Sequence, residues 1–445
     1  MNYISFIIFL SILLIGALSE IIRQSGSLKF DGLLIMRVNY SIIYGLCPLC
    51  LFFFPDLYGE RIDLFGFVPS PELLFQLAIA CAGAFFMSSL GYRFGTYFNP
   101  LKELRYDRRQ LERAVIVGGC FVFVAFYIYI YQYGGFIRTV ELSGFIRQGF
   151  QDDVLETSGE LLFVQNLTPL AFVLTPAALV LLTKERSWAT GALFFLSFIL
   201  SVLVWLILGS RGHIVISIAL LFFCYMNFRY NGTKVIKPGT LILLFIGAFV
   251  IDYFLGIGKS LSSALYREDL TFGDVFRDFK YAPLGSLVGY YDEYIASAIS
   301  SMSMKNISYT YFYDSLISPA YLVPSRLFDF AKPESVMYFN TYMVIGVWES
   351  VVPPGLIAYG NYALGPVGIV ISAVIYGFVL GLFDKANRVS APKRFINTLI
   401  ITPFVFYWGV YYFQGDPKTL IGTLTSPIMF ALIMLGARTR QAPAA

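Results

Sequence analysis

Apolar residues in this chain come in long blocks, not in the alternation of a half-buried sheet. The blocks run for 16 to 29 residues and are separated by polar stretches in which Lys, Arg, Asp, Gly and Pro collect. About 20 consecutive apolar residues, coiled as a helix, cross the roughly 30 Å of hydrocarbon in a bilayer. Eleven segments qualify: Ile4–Ile22, Leu33–Phe54, Leu73–Tyr92, Ala114–Tyr133, Leu161–Leu182, Trp188–Leu208, His213–Phe228, Leu241–Ile257, Gly355–Phe383, Phe395–Phe413 and Leu420–Leu435. The His213 run is short, at 16 residues, and it extends back through Ser210, which leaves almost no loop after the preceding span. Met1-Asn2-Tyr3 lacks the basic start of a cleaved signal, so the first run reads as a retained helix.

Composition narrows the class. Of 445 residues, 57% are hydrophobic and 13% charged, and the mean hydropathy is +0.70. Soluble domains carry about 25% charged residues, so this chain has too few to cover a water-facing surface. The expected fold is all-α: a polytopic integral membrane bundle of about eleven helices, with residues 1–445 forming one membrane domain.

Charge placement then orients the bundle. Taking the connections alternately, one set holds 20 Lys and Arg, from Arg23, Lys29 and Arg37 through to Arg438 and Arg440. The short loops of the other set hold five: Arg61, Arg138, Arg147, Arg211 and Lys418. Basic residues stay on the cytoplasmic side, which puts the N-terminus outside, the C-terminus in the cytoplasm and an odd number of spans between them. Two external connections stand out. Gly134–Glu160 is medium-sized and acidic, whereas Lys259–Pro354 is 96 residues long and holds 11 Tyr, 7 Phe and Trp348. Structureless loops of that length are uncommon, and apolar stretches such as Ser286–Ser301 predict short helices lying on or re-entering the membrane. All cytoplasmic segments are short and no phosphate-binding G-x-x-x-x-G-K-[ST] loop occurs, so any chemistry belongs to the outer face. Nucleic acid is not an expected partner; the lipid bilayer is.

Leu208-Gly209-Ser210-Arg211-Gly212-His213 is the most informative short segment. A helix starting here points its free N–H groups and positive dipole end outward, with Ser210 as the cap. Arg211 adds a fixed charge able to grip phosphate with two hydrogen bonds. The competing reading is an arginine snorkelling beside a turn, and the residues leave both open. His213, the only histidine, has the chemistry of a base, but so close to Arg211 a capping or packing role competes. The long loop supplies Lys259, Arg267, Arg277, Lys280, Lys305, Arg326 and Lys332 as further cations. Several have acidic neighbours, such as Asp274 and Asp278 around Arg277, which also fits solvated ion pairs of little energetic weight. Glu349, just before a late helix, is a candidate base or orienting group, and Asp252 near a span end is a further acid. No metal or cofactor is expected: D-x-D and His clusters are absent, and Asp56, Glu60 and Asp63 are a weak ligand set. Cys47 and Cys50 form a C-x-x-C inside a span, where packing explains them better than redox chemistry.

Three features together resemble the bacterial O-antigen polymerases, the Wzy-type enzymes that polymerise lipid-linked oligosaccharide repeat units. They are Gly209-Ser210-Arg211-Gly212 leading straight into an apolar helix, the long external loop in the C-terminal half, and Pro353-Pro354-Gly355 followed by Tyr359-Gly360-Asn361-Tyr362, Gly365-Pro366-Val367-Gly368, Gly377 and Gly381. The likeness covers residues from about 190 to 390, and it departs from the family in lacking an acid near Ala358-Tyr359. The resemblance implies a GT-C-like helical fold in the bacterial inner membrane and a metal-independent glycosyl transfer at the periplasmic face. Undecaprenyl-pyrophosphate-linked oligosaccharide would be both donor and acceptor, with a chain-length regulator as a further partner. Only Arg211 maps by motif, and Arg267, Arg277 and Arg326 map by lying in the equivalent loop. With the residues read directly, the catalytic candidates are Arg211, His213 and Glu349, and Arg211, Ser210, Arg267, Arg277, Arg326 and Lys259 are candidates to hold pyrophosphate and glycan. Two other functions compete. An O-antigen ligase would be expected to carry a histidine in its long loop, and this chain has none there. A lipid-linked sugar flippase would need polar groups or broken helices near the bilayer midplane.

Overall fold

The computed structural model describes residues 3–24, 28–62, 69–98, 108–140, 142, 167–208, 211–230, 233–234, 250, 253, 284–304, 309–322, 335–346, 352–389 and 394–437. Over these residues the fold is helical, apart from one two-residue ladder. In chain order the elements are α1 (Tyr3–Gln24), β1 (Leu28–Lys29), α2 (Gly32–Phe53), α3 (Pro55–Ile62), α4 (Pro71–Gly95), α5 (Arg108–Gln132), α6 (Thr168–Lys184), α7 (Trp188–Leu208), α8 (Arg211–Tyr230) and β2 (Thr233–Lys234). They continue with α9 (Gly285–Ser303), α10 (Tyr313–Ile317), α11 (Val336–Ile345), α12 (Gly355–Val389), α13 (Arg394–Tyr411) and α14 (Pro417–Gly436).

Seven of the described helices are long and apolar enough to cross a membrane: α1, α2, α4, α5, α7, α12 and α14. Their outward faces carry Ile7 and Leu18 on α1, Phe86 on α4, Phe123 and Val124 on α5, and Phe195 and Leu196 on α7, all exposed. A surface of this kind suits lipid rather than water. Of the other expected spans, three correspond to α6, α8 and α13, which fall outside those seven. Leu241–Ile257 lies almost wholly outside the described residues.

Local chemistry fixes the helix starts. Asp31 accepts from Leu34 N at 3.1 Å, Ser70 from Leu73 N at 3.2 Å, and Asp416 from Thr419 N at 3.0 Å. Pro71 and Pro417 follow their caps at the first helical position, where a missing N–H is harmless. In the core, α4 and α12 approach closely enough for backbone to touch backbone. Cβ atoms added at Gly91, Gly95, Gly377 and Gly381 would stand 2.4, 2.1, 1.9 and 2.1 Å from carbonyl oxygens of the opposite helix. Small residues four apart on both helices are what such a crossing requires.

One expected span is not a single helix. α12 breaks at Leu364 (φ −155°, ψ 30°) and Gly365 (φ 61°, ψ −146°), and Pro366 starts a second arm. The arms fold back on each other: a Cβ at Gly368 would lie 2.0 Å from the carbonyl oxygen of Gly360. Breaking the helix frees the carbonyls at the end of its first arm. Two are taken up from elsewhere, as Thr310 N donates to Tyr362 O and Tyr311 N to Ala363 O, each at 3.0 Å.

The 259–354 segment contains more than a connector. Helix α9 occupies the stretch where the sequence predicts one, with Val288, Ile295, Ala298 and Ile299 fully buried, and it packs against α2, α4 and α12. A one-turn π-helix at Ile42–Leu46 in α2 carries Tyr44, whose hydroxyl accepts from Ile357 N at 3.3 Å in the first turn of α12.

Candidate functional site

Polar groups gather at two opposite regions of this otherwise apolar bundle. The first joins the end of α1, the start of α2 and the far ends of α4 and α12. Arg23 is ion-paired with Glu20 and, at 2.7 Å, with Asp31, while Arg37 reaches Glu20 at 2.9 Å. Asp384 accepts from Gly32 N at 2.7 Å and from the Tyr92 hydroxyl at 2.8 Å. The ladder of Leu28 with Lys234 and Lys29 with Thr233 lies beside it in sequence. It joins two connections that the charge pattern independently assigns to one side. These groups are mutually satisfied, and their evident role is to fasten helix ends.

The second region surrounds the start of α12, and it is the candidate site. One part is a latch centred on Asn340, which is fully buried. Its amide donates to Ser297 Oγ and to Val352 O, both at 2.8 Å, and its carbonyl accepts from the Tyr362 hydroxyl at 2.9 Å. Beside it Val352 N donates to Thr341 Oγ1 at 2.7 Å, and Asn361 Nδ2 donates to Ser301 O at 3.0 Å. The Pro353-Pro354-Gly355 segment singled out by the sequence is thereby tied to α9 and α11.

The other part carries the ionisable chemistry. Asp416, 2% exposed, accepts from Ser335 Oγ at 2.7 Å and from Thr419 N and Oγ1 at 3.0 and 2.6 Å. Asp314 is on α10, which packs against α14, and is 6% exposed. Burial, reinforced by the charge of Asp416, pushes the Asp314 carboxyl up to about 6 from an ordinary 3.8. The Tyr359 hydroxyl is hydrogen-bonded to Ser315 and lies within electrostatic reach of both acids, with the Phe312 ring edge-on to it at 5.7 Å. Tyr311 and Phe312, just before α10, have φ of 51° and 59°, a strained choice for side-chain-bearing residues. Chemically, the cluster offers a carboxyl able to exchange a proton near neutrality next to neutral hydroxyls.

Few of the residues that the sequence singled out have describable side chains. Arg211 opens α8 and His213 sits in its first turn, so a helix does begin where the sequence predicts one; only the backbone is described there. Ser210, Asp252, Lys259, Arg267, Arg277, Arg326 and Glu349 lie outside the described residues. Asp56 lies on α3, and no group of three metal-ligating side chains forms among the described residues. Cys47 and Cys50 are buried on α2. Asp314, Asp416 and Asn340 were not among the sequence candidates. Asp416 carries a local signal, an Asp-Pro helix start, whereas nothing in the sequence marks Asp314 or Asn340. Asp314 and Asp416 reach Tyr359 electrostatically from elements other than its own helix.

No protein-family model, curated protein or solved structure matches this chain.

Proposed function

We propose that this chain is an inner-membrane glycosyltransferase that polymerises undecaprenyl-pyrophosphate-linked oligosaccharide repeat units at the periplasmic face. In this reading eleven spans form a GT-C-like bundle, with the N-terminus periplasmic and the C-terminus cytoplasmic. The observation that carries it is the cluster of Asp314, Asp416 and Tyr359 around the start of α12. It brings acid–base chemistry to the Pro-led, Gly-rich helix on which the resemblance to O-antigen polymerases rests. Arg211 at the start of α8 would hold the leaving pyrophosphate, where the largest charge develops. Arg267, Arg277, Arg326 and Lys259 are further cations for the same anion, and His213 and Glu349 remain candidates at the reacting centre.

A second reading, transport of a lipid-linked glycan, is favoured by one observation: the interruption of α12 at Leu364 and Gly365. Broken helices line the sites of many transporters.

The test is the length of the surface-glycan ladder in a host lacking its own polymerase. It would carry the wild-type gene or Arg211→Ala at matched membrane levels. A long ladder from wild type, collapsing to one repeat in the variant, supports polymerisation. Single capped repeats from both would sink it and leave ligase or flippase as the better account.

A further inference from the structure

Forming a glycosidic bond requires that the acceptor hydroxyl lose its proton, and the two carboxylates beside Tyr359 are unequally free to take it. We propose that Asp314 is the residue that accepts this proton, and that Asp416 is a positioning residue beside it. The proposal rests on the polymerase reading above.

The two acids differ in their partners. Asp416 is saturated by Ser335 and Thr419 and committed to capping α14. Asp314 is more than nine-tenths buried, and among the described residues the only hydrogen bond it accepts is from its own backbone amide. A buried carboxylate without donors is costly to keep, and a neutral Asn would fill the same space. From α14 it is faced by Asp416, and Lys418, exposed on the same helix, holds its ammonium 5.8 Å over the Tyr338 ring. From α12 it is faced by Tyr359, and Tyr313 adjoins it on its own helix. Tyr309, Tyr311 and Tyr313, close to it in the chain, are exposed. Such rings, apolar on the face and polar at the tip, suit a sugar. An acidic centre with exposed tyrosines close by in the chain suits the uncharged hydroxyls of an acceptor glycan better than pyrophosphate, which needs cations.

In the step assigned to it, a lone pair on the acceptor oxygen attacks the anomeric carbon of the donor glycan. The bond from that carbon to the pyrophosphate oxygen breaks, and its electron pair leaves on the phosphate. The hydroxyl proton passes to a carboxylate oxygen of Asp314, and from there to water.

The test is the initial rate of polymer formation by the full-length protein in detergent, from pH 5 to 8.5. The probe is the lipid-pyrophosphate-linked repeat unit extracted from a host that makes single repeats. Wild type should lose rate as pH falls below about 6. Asp314→Asn should be about 100-fold slower at pH 7.5 and lack that acid limb, while Asp314→Glu should restore part of the rate together with the limb. Asp416→Asn keeps a good helix cap but removes the like charge, so it should move the limb to lower pH. An acid limb unchanged in Asp314→Asn would overturn the proposal. So would a limb unmoved in Asp416→Asn, which decides the matter if Asp314→Asn fails to accumulate. Absence of polymer from wild type itself would instead sink the polymerase reading.

Discussion

Gly381 of α12 lies so close to Tyr92 of α4 that a Cβ on the glycine would stand 2.1 Å from the tyrosine carbonyl oxygen. One turn earlier Gly377 meets Ser88 in the same way, at 1.9 Å. These two glycines pack helix on helix. Neither backbone can give way without moving its helix. Gly377→Val and Gly381→Val should therefore each destabilise the fold by about 1–3 kcal/mol or more. A clear fall in Tm of the purified protein in detergent would show it; an unchanged Tm would mean that the two helices are not in contact there.

Asn340 connects α11, α9 and the start of α12 with a single side chain. Asn340→Leu fills the space but leaves Val352 O and the Tyr362 hydroxyl without their partner. Each buried group left unsatisfied costs about 1–3 kcal/mol. The expected result is a lower Tm and faster limited proteolysis in the 304–354 segment, with the proteolytic change detectable at temperatures where the bundle remains intact. Protection equal to wild type would refute the latch.

Asp314 makes a stability prediction that does not depend on activity. Its carboxyl is held at about 6 against an ordinary 3.8, so the folded state favours the protonated form. That contribution is fully present below about pH 4 and is lost as pH rises through about 6. Asp314→Asn should match wild type near pH 4 and exceed it at pH 8. The margin is about 1–2 kcal/mol once screening by water at the rim is allowed for. Thermal melts at the two pH values measure it, and a variant less stable at pH 8 would contradict the sign.

Orientation is open to a direct check. The charge pattern predicts that a green fluorescent protein fused after Ala445 will fluoresce. Alkaline phosphatase inserted after Gly135 should be active. An active phosphatase at the C-terminus would invert the topology and move the Asp314 cluster to the cytoplasmic side.

Helices were legible because hydrocarbon leaves so little freedom: ten of the eleven apolar segments overlap described helices, seven of them long and apolar enough to cross a membrane, and the remaining segment lies almost wholly outside the described residues. A helix across 285–303 was legible for a similar reason, as an apolar stretch inside a polar loop. The break in α12 was not. Pro366 is tolerated as the first residue of an arm, Leu364 carries no signal, and the donors that cap the broken end come from Thr310 and Tyr311. The meeting of Asp314 with Asp416 is a purely tertiary event between residues far apart in the chain. Sequence reading accordingly favoured the cations of the long loop, which announce themselves by charge, over acids that gain their character from burial.

The ion pairs among Glu20, Arg23, Asp31 and Arg37 can close as soon as the first two helices have left the ribosome. The last member of that region cannot. Asp384 follows Gly32 by 352 residues, which at about 5–20 residues per second is roughly 20–70 s of synthesis. For that interval the Gly32 amide and the Tyr92 hydroxyl must find other company, in water, lipid headgroups or an insertion chaperone. The N-terminal hairpin is thus assembled early and sealed late, and a stall in translation before residue 384 would leave its seam open.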